Sequence, residues 1–284
     1  MTSNVTIPVL VNGEPVDCIS SLDRGLLFGD GVFETLAVTG GEPRFWSRHL
    51  QRLAEGCRRL GLPLADASLL RGEAAALLTG NEACVLKIIV TRGAGGRGYR
   101  TPGKARSTRI LQLHPWPELP QECAESGVRV RLCTMRLGSN PLLAGIKHLN
   151  RLEQVLARQE WDDPDIREGL LLDGDGCVIE GTMSNLFVVQ GESLVTPDLA
   201  RCGVAGVMRT VVMELAGSLG LAVSVNELQP ADVEQADELF LTNSLIGVWP
   251  VIGLGNRMWR TGQVTRQLQE RLSKLETEGT AWQH

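Results

Sequence analysis

The sequence predicts an α+β protein with two sheet-based domains, and three observations carry that reading. Strand-like alternation recurs in both halves of the 284-residue chain, broken each time by glycine-containing turns. Helical apolar stripes follow the strand-rich stretches, at Trp46–Gly61 and again at Gly206–Gly220. Between the halves, Pro115-Trp-Pro-Glu-Leu-Pro120 carries three prolines and can be neither helix nor central strand. That segment reads as a linker. It gives an N-terminal domain over 1–114, a linker over 115–122 and a larger C-terminal domain over 123–284.

The elements follow in chain order. Pro8–Pro15 reads as a strand, an Asn-Gly turn and a second strand. Gly31–Thr39 alternates and ends at Gly40-Gly41, another strand and turn. Trp46–Gly61 reads as a helix with Ser47 as N-cap, a stripe of Leu50, Leu53, Cys57 and Leu60, and Gly61 as its stop. A second helix covers Ala67–Leu78. Ala83–Thr91 and Thr108–His114 read as strands that flank a glycine-rich loop. Beyond the linker, Val128–Thr134 alternates, and hairpins are expected over Leu170–Ile179 and Ser184–Thr196. The helix from Gly206 has a stripe of Val207, Val211, Leu215 and Leu219. Glu238–Thr242 is a short buried strand, and Thr265–Lys274 a polar amphipathic helix.

Composition removes several function classes. A net charge of −5 leaves no basic field for nucleic acid or an anionic membrane. The apolar runs are far shorter than the roughly 20 residues that a bilayer requires. Met1–Ile7 has neither a basic nor an apolar leader region, so no signal peptide is expected. The seven cysteines are scattered and form no C-x-x-C pair, which suits reduced thiols in a cytoplasmic protein, most of them small core residues. His49, His114, His148 and His284 lack metal-ligand spacing. Asp173-Gly-Asp-Gly176 begins like a calcium loop, but Ser184 stands where the bidentate Glu belongs.

What remains points to a lysine. Lys147 sits just ahead of an amphipathic helical pattern, in a run, Gly145–Leu156, that otherwise reads as buried. A buried ammonium is costly unless paired or deprotonated, and desolvated lysines are candidates for Schiff-base chemistry. Glu180 ends the strand Cys177-Val-Ile. Taken alone it is either a surface glutamate in a turn or a buried carboxylate that needs a partner such as a pyridinium nitrogen. Gly203–Thr210 is a glycine-punctuated turn into a helix, where free N–H groups and the helix dipole can hold a phosphate, and Thr242-Asn-Ser244 adds donors nearby. Arg52 either neutralises that phosphate or is one more solvated arginine on its helix. The loop Thr91–Arg100 is either a flexible surface loop or an anion site built from Arg92, Arg97 and Arg100, with Tyr99 the sole tyrosine.

These residues together resemble the fold-type IV pyridoxal-phosphate enzymes, which include branched-chain aminotransferases, D-amino-acid aminotransferases and 4-amino-4-deoxychorismate lyase. The general pattern lies in Asp23–Thr35, His49–Arg52, Glu180–Phe187 and Gly203–Arg209. Two runs, Arg92–Tyr99 and Leu143–Leu156, are similar to the lyase branch in particular. The resemblance implies a small N-terminal α/β sandwich, a larger C-terminal domain with a β-barrel-like sheet, pyridoxal 5'-phosphate between them, and a homodimer. It implies that Lys147 carries the cofactor and moves protons, and that Glu180 pairs with the pyridine nitrogen. Arg52, the backbone of Val207 and Met208, and Asn243 with Ser244 would hold the phosphate. Arg92, Arg97, Tyr99 and Asn185 would contact substrate. The implied reaction converts 4-amino-4-deoxychorismate to 4-aminobenzoate and pyruvate, in folate synthesis. The nearest alternative is an aminotransferase of the same fold acting on branched-chain or D-amino acids, and a more distant one is a cofactor-free binding module.

Overall fold

The computed structural model describes residues 7–64 and 66–278. Met1–Thr6, read above for a leader, and His284 lie outside the described residues. By its contacts the chain divides into two compact units. One runs to Pro117 and also takes in Lys147–Asn150, and the other holds Glu118–Ile146 and Arg151–Glu278.

The first unit contains β1 (Val9–Val11), α1 (Arg24–Phe28), β2 (Gly31–Thr39), β3 (Glu42–Pro43), α2 (Trp46–Leu60), α3 (Ala67–Leu78), β4 (Ala83–Thr91) and β5 (Thr108–Pro115). Its antiparallel sheet has the order β1-β5-β4-β2-β3. Along β2 the alternation puts Val32, Glu34, Leu36 and Val38 in the interior. α3 begins where the Asp66 carboxylate accepts the Ser68 N–H at 2.7 Å. The expected strand after Asn12-Gly13 does not form. Glu14 makes only an isolated bridge to Val11, and Pro15 removes the next donor.

α2 departs from expectation at its start and in its buried face. Phe45, in the left-handed region at φ 53°, is the N-cap, in place of Ser47. The inward residues are Trp46, His49, Leu53, Gly56 and Cys57, while Leu50 and Leu60 are only half-buried. A leucine-based stripe is therefore rotated, and two polar side chains, His49 and Arg52, come to lie over β2. The other end of the β2 edge is covered by the returning segment. Phe33 N–H donates to Lys147 O at 3.0 Å, and Leu149 N–H donates to Gly31 O at 3.0 Å.

The second unit contains α4 (Gln121–Glu125), β6 (Val128–Leu137), α5 (Leu152–Arg158), β7 (Ile166–Asp173), β8 (Val178–Gly181), β9 (Asn185–Gln190), β10 (Ser193–Pro197), α6 (Val207–Ser218), β11 (Ala222–Asn226), α7 (Pro230–Glu234), β12 (Glu238–Asn243), β13 (Gly247–Leu254), β14 (Arg257–Met258) and α8 (Gln263–Glu278). These strands form one curled, nine-stranded mixed sheet of order β11-β10-β9-β12-β13-β6-β7-β8, with β14 on β13. The pairs β10/β11, β13/β6 and β6/β7 are parallel. Its strands read as nearly continuous apolar runs because both faces are covered. Phe187 and Phe240 face each other in register, with ring centroids 5.0 Å apart. Both hairpins expected from the sequence form, as β7/β8 and β9/β10. The apolar pattern after Lys147 is not a core-facing helix. Only Leu152–Arg158 is helical, and Leu152 is 75% exposed. Within that run only Ile146, just before the lysine, is buried.

Candidate active site

The candidate residues fall in both units. In the first, Lys147 is half-buried, with Nζ 4.4 Å from the centre of the Phe33 ring. Its backbone is fixed by the pairing to β2 described above. One residue further along β2, the carboxylate of Glu34 is buried between two cationic or polar partners. Arg52 Nε donates to Oε1 at 2.8 Å and Nη2 to Oε2 at 2.5 Å, a bidentate fork. His49 Nδ1 donates to Oε2 at 2.6 Å, since an ionised carboxylate only accepts. Burial pushes the Glu34 carboxyl up, but the Arg52 charge and fork and the His49 bond outweigh it and hold it at about 2. Burial pushes His49 down, the Glu34 bond opposes this, and the charges of Arg52 and Lys147 add to the depression.

The glycine-rich loop after β4 is anchored where the sequence suggested mobility. Arg24 donates to Gly98 O at 2.9 Å and to Tyr99 O at 3.2 Å. The Tyr99 ring meets Phe28 at 5.3 Å and is otherwise 85% exposed, and Arg97 and Arg100 are exposed. Arg92 is different. It is buried, its Nε and Nη2 fork Asp30, and its Nη1 and Nη2 donate to Gly61 O and Leu60 O at the end of α2. Four of its five N–H donors are therefore engaged by the fold. Asp30 bridges Arg92 and Arg24. Burial pushes its carboxyl up, and the two arginines pull it below the ordinary value.

In the second unit, Glu180 is 4% exposed at the end of β8, which removes the surface-turn reading. Its Oε2 accepts the Val204 N–H at 2.8 Å. Asn185, at the start of β9, donates from Nδ2 to Val204 O at 2.9 Å. The two side chains therefore grip the two sides of one residue. Asn185, expected to contact substrate, holds this loop through its amide N–H. The loop leads into α6, whose N-cap Gly206 offers no side-chain acceptor to the first turn. The N–H groups of Val207 and Met208 have no intrahelical partner there. A side chain at 206 would meet Asn185 Oδ1 at 2.0 Å. The same loop pairs with the chain just ahead of the lysine, through Gly145 N–H to Gly203 O at 2.9 Å. Asn243 braces a turn. Its Oδ1 accepts from Leu245 and Ile246, and its Nδ2 donates to Met183 O. Ser244 is half-buried beside it.

Three groups were missed by sequence reasoning: the Glu34–His49 pair, Arg24 with Asp30, and Glu168. One signal for the first was available, because Glu34 interrupts the apolar face of an alternating strand. Among the described residues no His, Cys, Asp or Glu cluster is arranged to hold a metal. Six of the seven cysteines are buried and all are free. No described helix is long and apolar enough to cross a membrane.

The small antiparallel sheet, the curled mixed sheet and a half-buried lysine define a fold-type IV enzyme. The family model for class IV amino-transferases matches residues 31–254, and the chain belongs to that family. It is similar to aminodeoxychorismate lyase of Vibrio harveyi, 38% identical over 267 residues that cover 93% of this chain and 98% of the relative. It is similar to the crystal structure of 4-amino-4-deoxychorismate lyase from Pseudomonas aeruginosa, with TM-score 0.91, 50% identity, and coverage of 94% and 98%. A branched-chain amino acid aminotransferase from T.th., solved with pyridoxamine 5'-phosphate, shares the fold at TM-score 0.82 and 24% identity, with coverage of 95% and 94%. Members of this fold bind pyridoxal 5'-phosphate. Each unit carries groups of the kind such a cofactor takes: the first a lysine amine and a guanidinium, the second a buried carboxylate and a helix N-terminus whose first turn lacks a side-chain cap.

Proposed function

We propose that this chain is a pyridoxal 5'-phosphate-dependent lyase that cleaves 4-amino-4-deoxychorismate to 4-aminobenzoate and pyruvate, a reaction of folate synthesis. The observation that carries this is its similarity, along nearly the whole chain, to two lyases of that name at 38% and 50% identity. The cofactor, when bound, supplies a protonated ring that accepts electron density from the bond broken beside the substrate nitrogen. Lys147 is the residue that carries it. Glu180 is the acidic partner of the ring nitrogen, and its burial is what supports that role. Arg52, the N–H groups of Val207 and Met208, and Ser244 hold the phosphate.

Lys147 Nζ takes the proton from the ring carbon that bears the substrate amine. The C–O bond to the enolpyruvyl group breaks, the ring becomes aromatic, and the same proton returns to the enol carbon to give pyruvate. Aromatisation supplies much of the driving force, so the protein mainly orients the substrate and moves one proton. Arg97 and Tyr99 remain candidates for the substrate carboxylates. A homodimer is part of this reading. It is supported by apolar side chains left exposed on the second unit, among them Leu142, Leu152 and Leu156.

The test is to mix pure protein, cofactor and 4-amino-4-deoxychorismate and to assay both products. Equimolar 4-aminobenzoate and pyruvate are expected. Formation of glutamate from 2-oxoglutarate with no 4-aminobenzoate would make the chain an aminotransferase instead, a reading that uses the same Lys147 and Glu180.

A further inference from the structure

One buried carboxylate takes no part in that reaction. Glu168, on β7, is 1% exposed and accepts five hydrogen bonds. Its Oε1 takes the N–H of Gly169 at 2.9 Å, the N–H of Thr182 at 3.0 Å and the Thr182 hydroxyl at 2.5 Å. Its Oε2 takes the N–H of Met183 at 3.2 Å and the Ser184 hydroxyl at 2.8 Å. Four of the five come from one short turn, Thr182–Ser184, which joins β8 to β9. The turn is wrapped tightly. A side chain at Gly181 would meet Ser184 Oγ at 2.3 Å and Glu168 Cδ at 2.9 Å. Glu180 and Asn185 stand at the two ends of this turn, and both reach the backbone of Val204. Burial holds the Glu168 carboxyl above its ordinary value, and the bonds from Thr182 and Ser184 only partly oppose this. Every partner is a donor, so the ionised form satisfies all of them.

We propose that Glu168 is a positioning residue for the cofactor's acidic partner. Its carboxylate clamps the turn 181–184, so that Glu180 and Asn185 close together on Val204 and Glu180 is held in one orientation. This rests on the role given to Glu180 above. Glu168→Gln is isosteric but turns one acceptor into a donor, which sets an N–H against at least one donor of the turn.

The experiment follows the visible absorption of cofactor bound to the holoenzyme across pH, together with kcat and KM. In Glu168→Gln the cofactor stays bound. The pH profile of its absorption moves by about one pH unit, and kcat falls about tenfold with KM within about twofold. Ser184→Ala and Thr182→Val keep the carboxylate and remove one hydroxyl each, and they give smaller changes of the same sign. A purely structural clamp would lower the melting temperature and leave the absorption profile and kcat of the folded holoenzyme at wild-type values. That result overturns the proposal. If Glu168→Gln does not fold, wild-type profiles in both hydroxyl variants overturn it equally. A wild-type protein that binds no cofactor would sink the role of Glu180 and this inference with it. An active wild type with an unaltered Glu168→Gln profile sinks only this inference.

Discussion

Glu34 is the residue whose environment has the clearest consequence for stability. Its carboxyl sits at about 2, against an ordinary value of 4.5. A folded-state value below the unfolded one gives stability that is full above pH 4.5 and is lost as pH falls toward 2. The contribution is about 3 kcal/mol, of which about 2 is lost between pH 6 and pH 3. His49, depressed from 6.5, adds a loss of the same sign as pH falls through that value. Glu34→Gln should destabilise by about 3 kcal/mol at pH 7, and the gap from wild type should narrow at pH 3. Urea unfolding at the two pH values measures this, and a constant gap would deny Glu34 its depressed carboxyl. Lys147 and Glu180 belong to a second prediction. Lys147→Ala should abolish pyruvate release, whereas Glu180→Gln should lower the rate more than it lowers cofactor retention. Both residues were readable in the sequence because each is a charge in an apolar context. The internal bonds of Arg92, Asn185 and Asn243 were not readable, because composition does not say which donors the fold will engage. Here the carbonyls of Leu60 and Gly61 take Arg92 N–H groups, and those of Val204 and Met183 take the Asn185 and Asn243 amides.

At the next level up, the strands and helices found from pattern are those whose period is unbroken. β2, α3 and β4 have the bounds that the sequence predicted. α2 was found, but its buried face was assigned from leucines alone. The face that turns inward carries His49 because Glu34 lies beneath it, a non-local pairing that no helical period contains. The two ends of helices give a paired prediction. Gly61 closes α2 at φ 61°, with open space around its missing Cβ. Gly61→Ala should therefore cost only the left-handed backbone penalty, about 1 kcal/mol, and leave cofactor binding unchanged. Gly206, in contrast, has extended backbone and no room. Gly206→Ala drives a Cβ into the Asn185 amide and disturbs the N–H groups of Val207 and Met208. It should weaken cofactor affinity about tenfold or more, read by absorbance titration. Equal effects of the two substitutions on cofactor affinity would remove the α6 N-terminus from the phosphate site.

For the chain as a whole, the class of fold and the two-sheet division followed from turn chemistry and the proline segment. The return of Lys147–Asn150 to the first unit did not, because it depends on two backbone hydrogen bonds to β2. Oligomeric state is the last property that the proposed function carries. The run after Lys147 looked like a buried helix because its leucines and valine have helical spacing. In the structure Leu152, Val155 and Leu156 are exposed instead, as are Leu142 and Met183 of the same unit. Apolar side chains at this density on one unit are an aggregation hazard unless a partner covers them. If a second copy does so, removing two of these side chains should release monomers. Leu152→Asp with Leu156→Asp should convert a species of about twice 30.8 kDa into one of 30.8 kDa, measured by light scattering after gel filtration. Isologous contacts repeat every substitution in both partners, so the penalty is doubled. Burying four carboxylates at such an interface costs several kcal/mol each, enough to shift association by several orders of magnitude. A wild type that is monomeric at micromolar concentration would show that this surface serves something other than self-association. A double variant that stays dimeric would place the interface elsewhere on the chain.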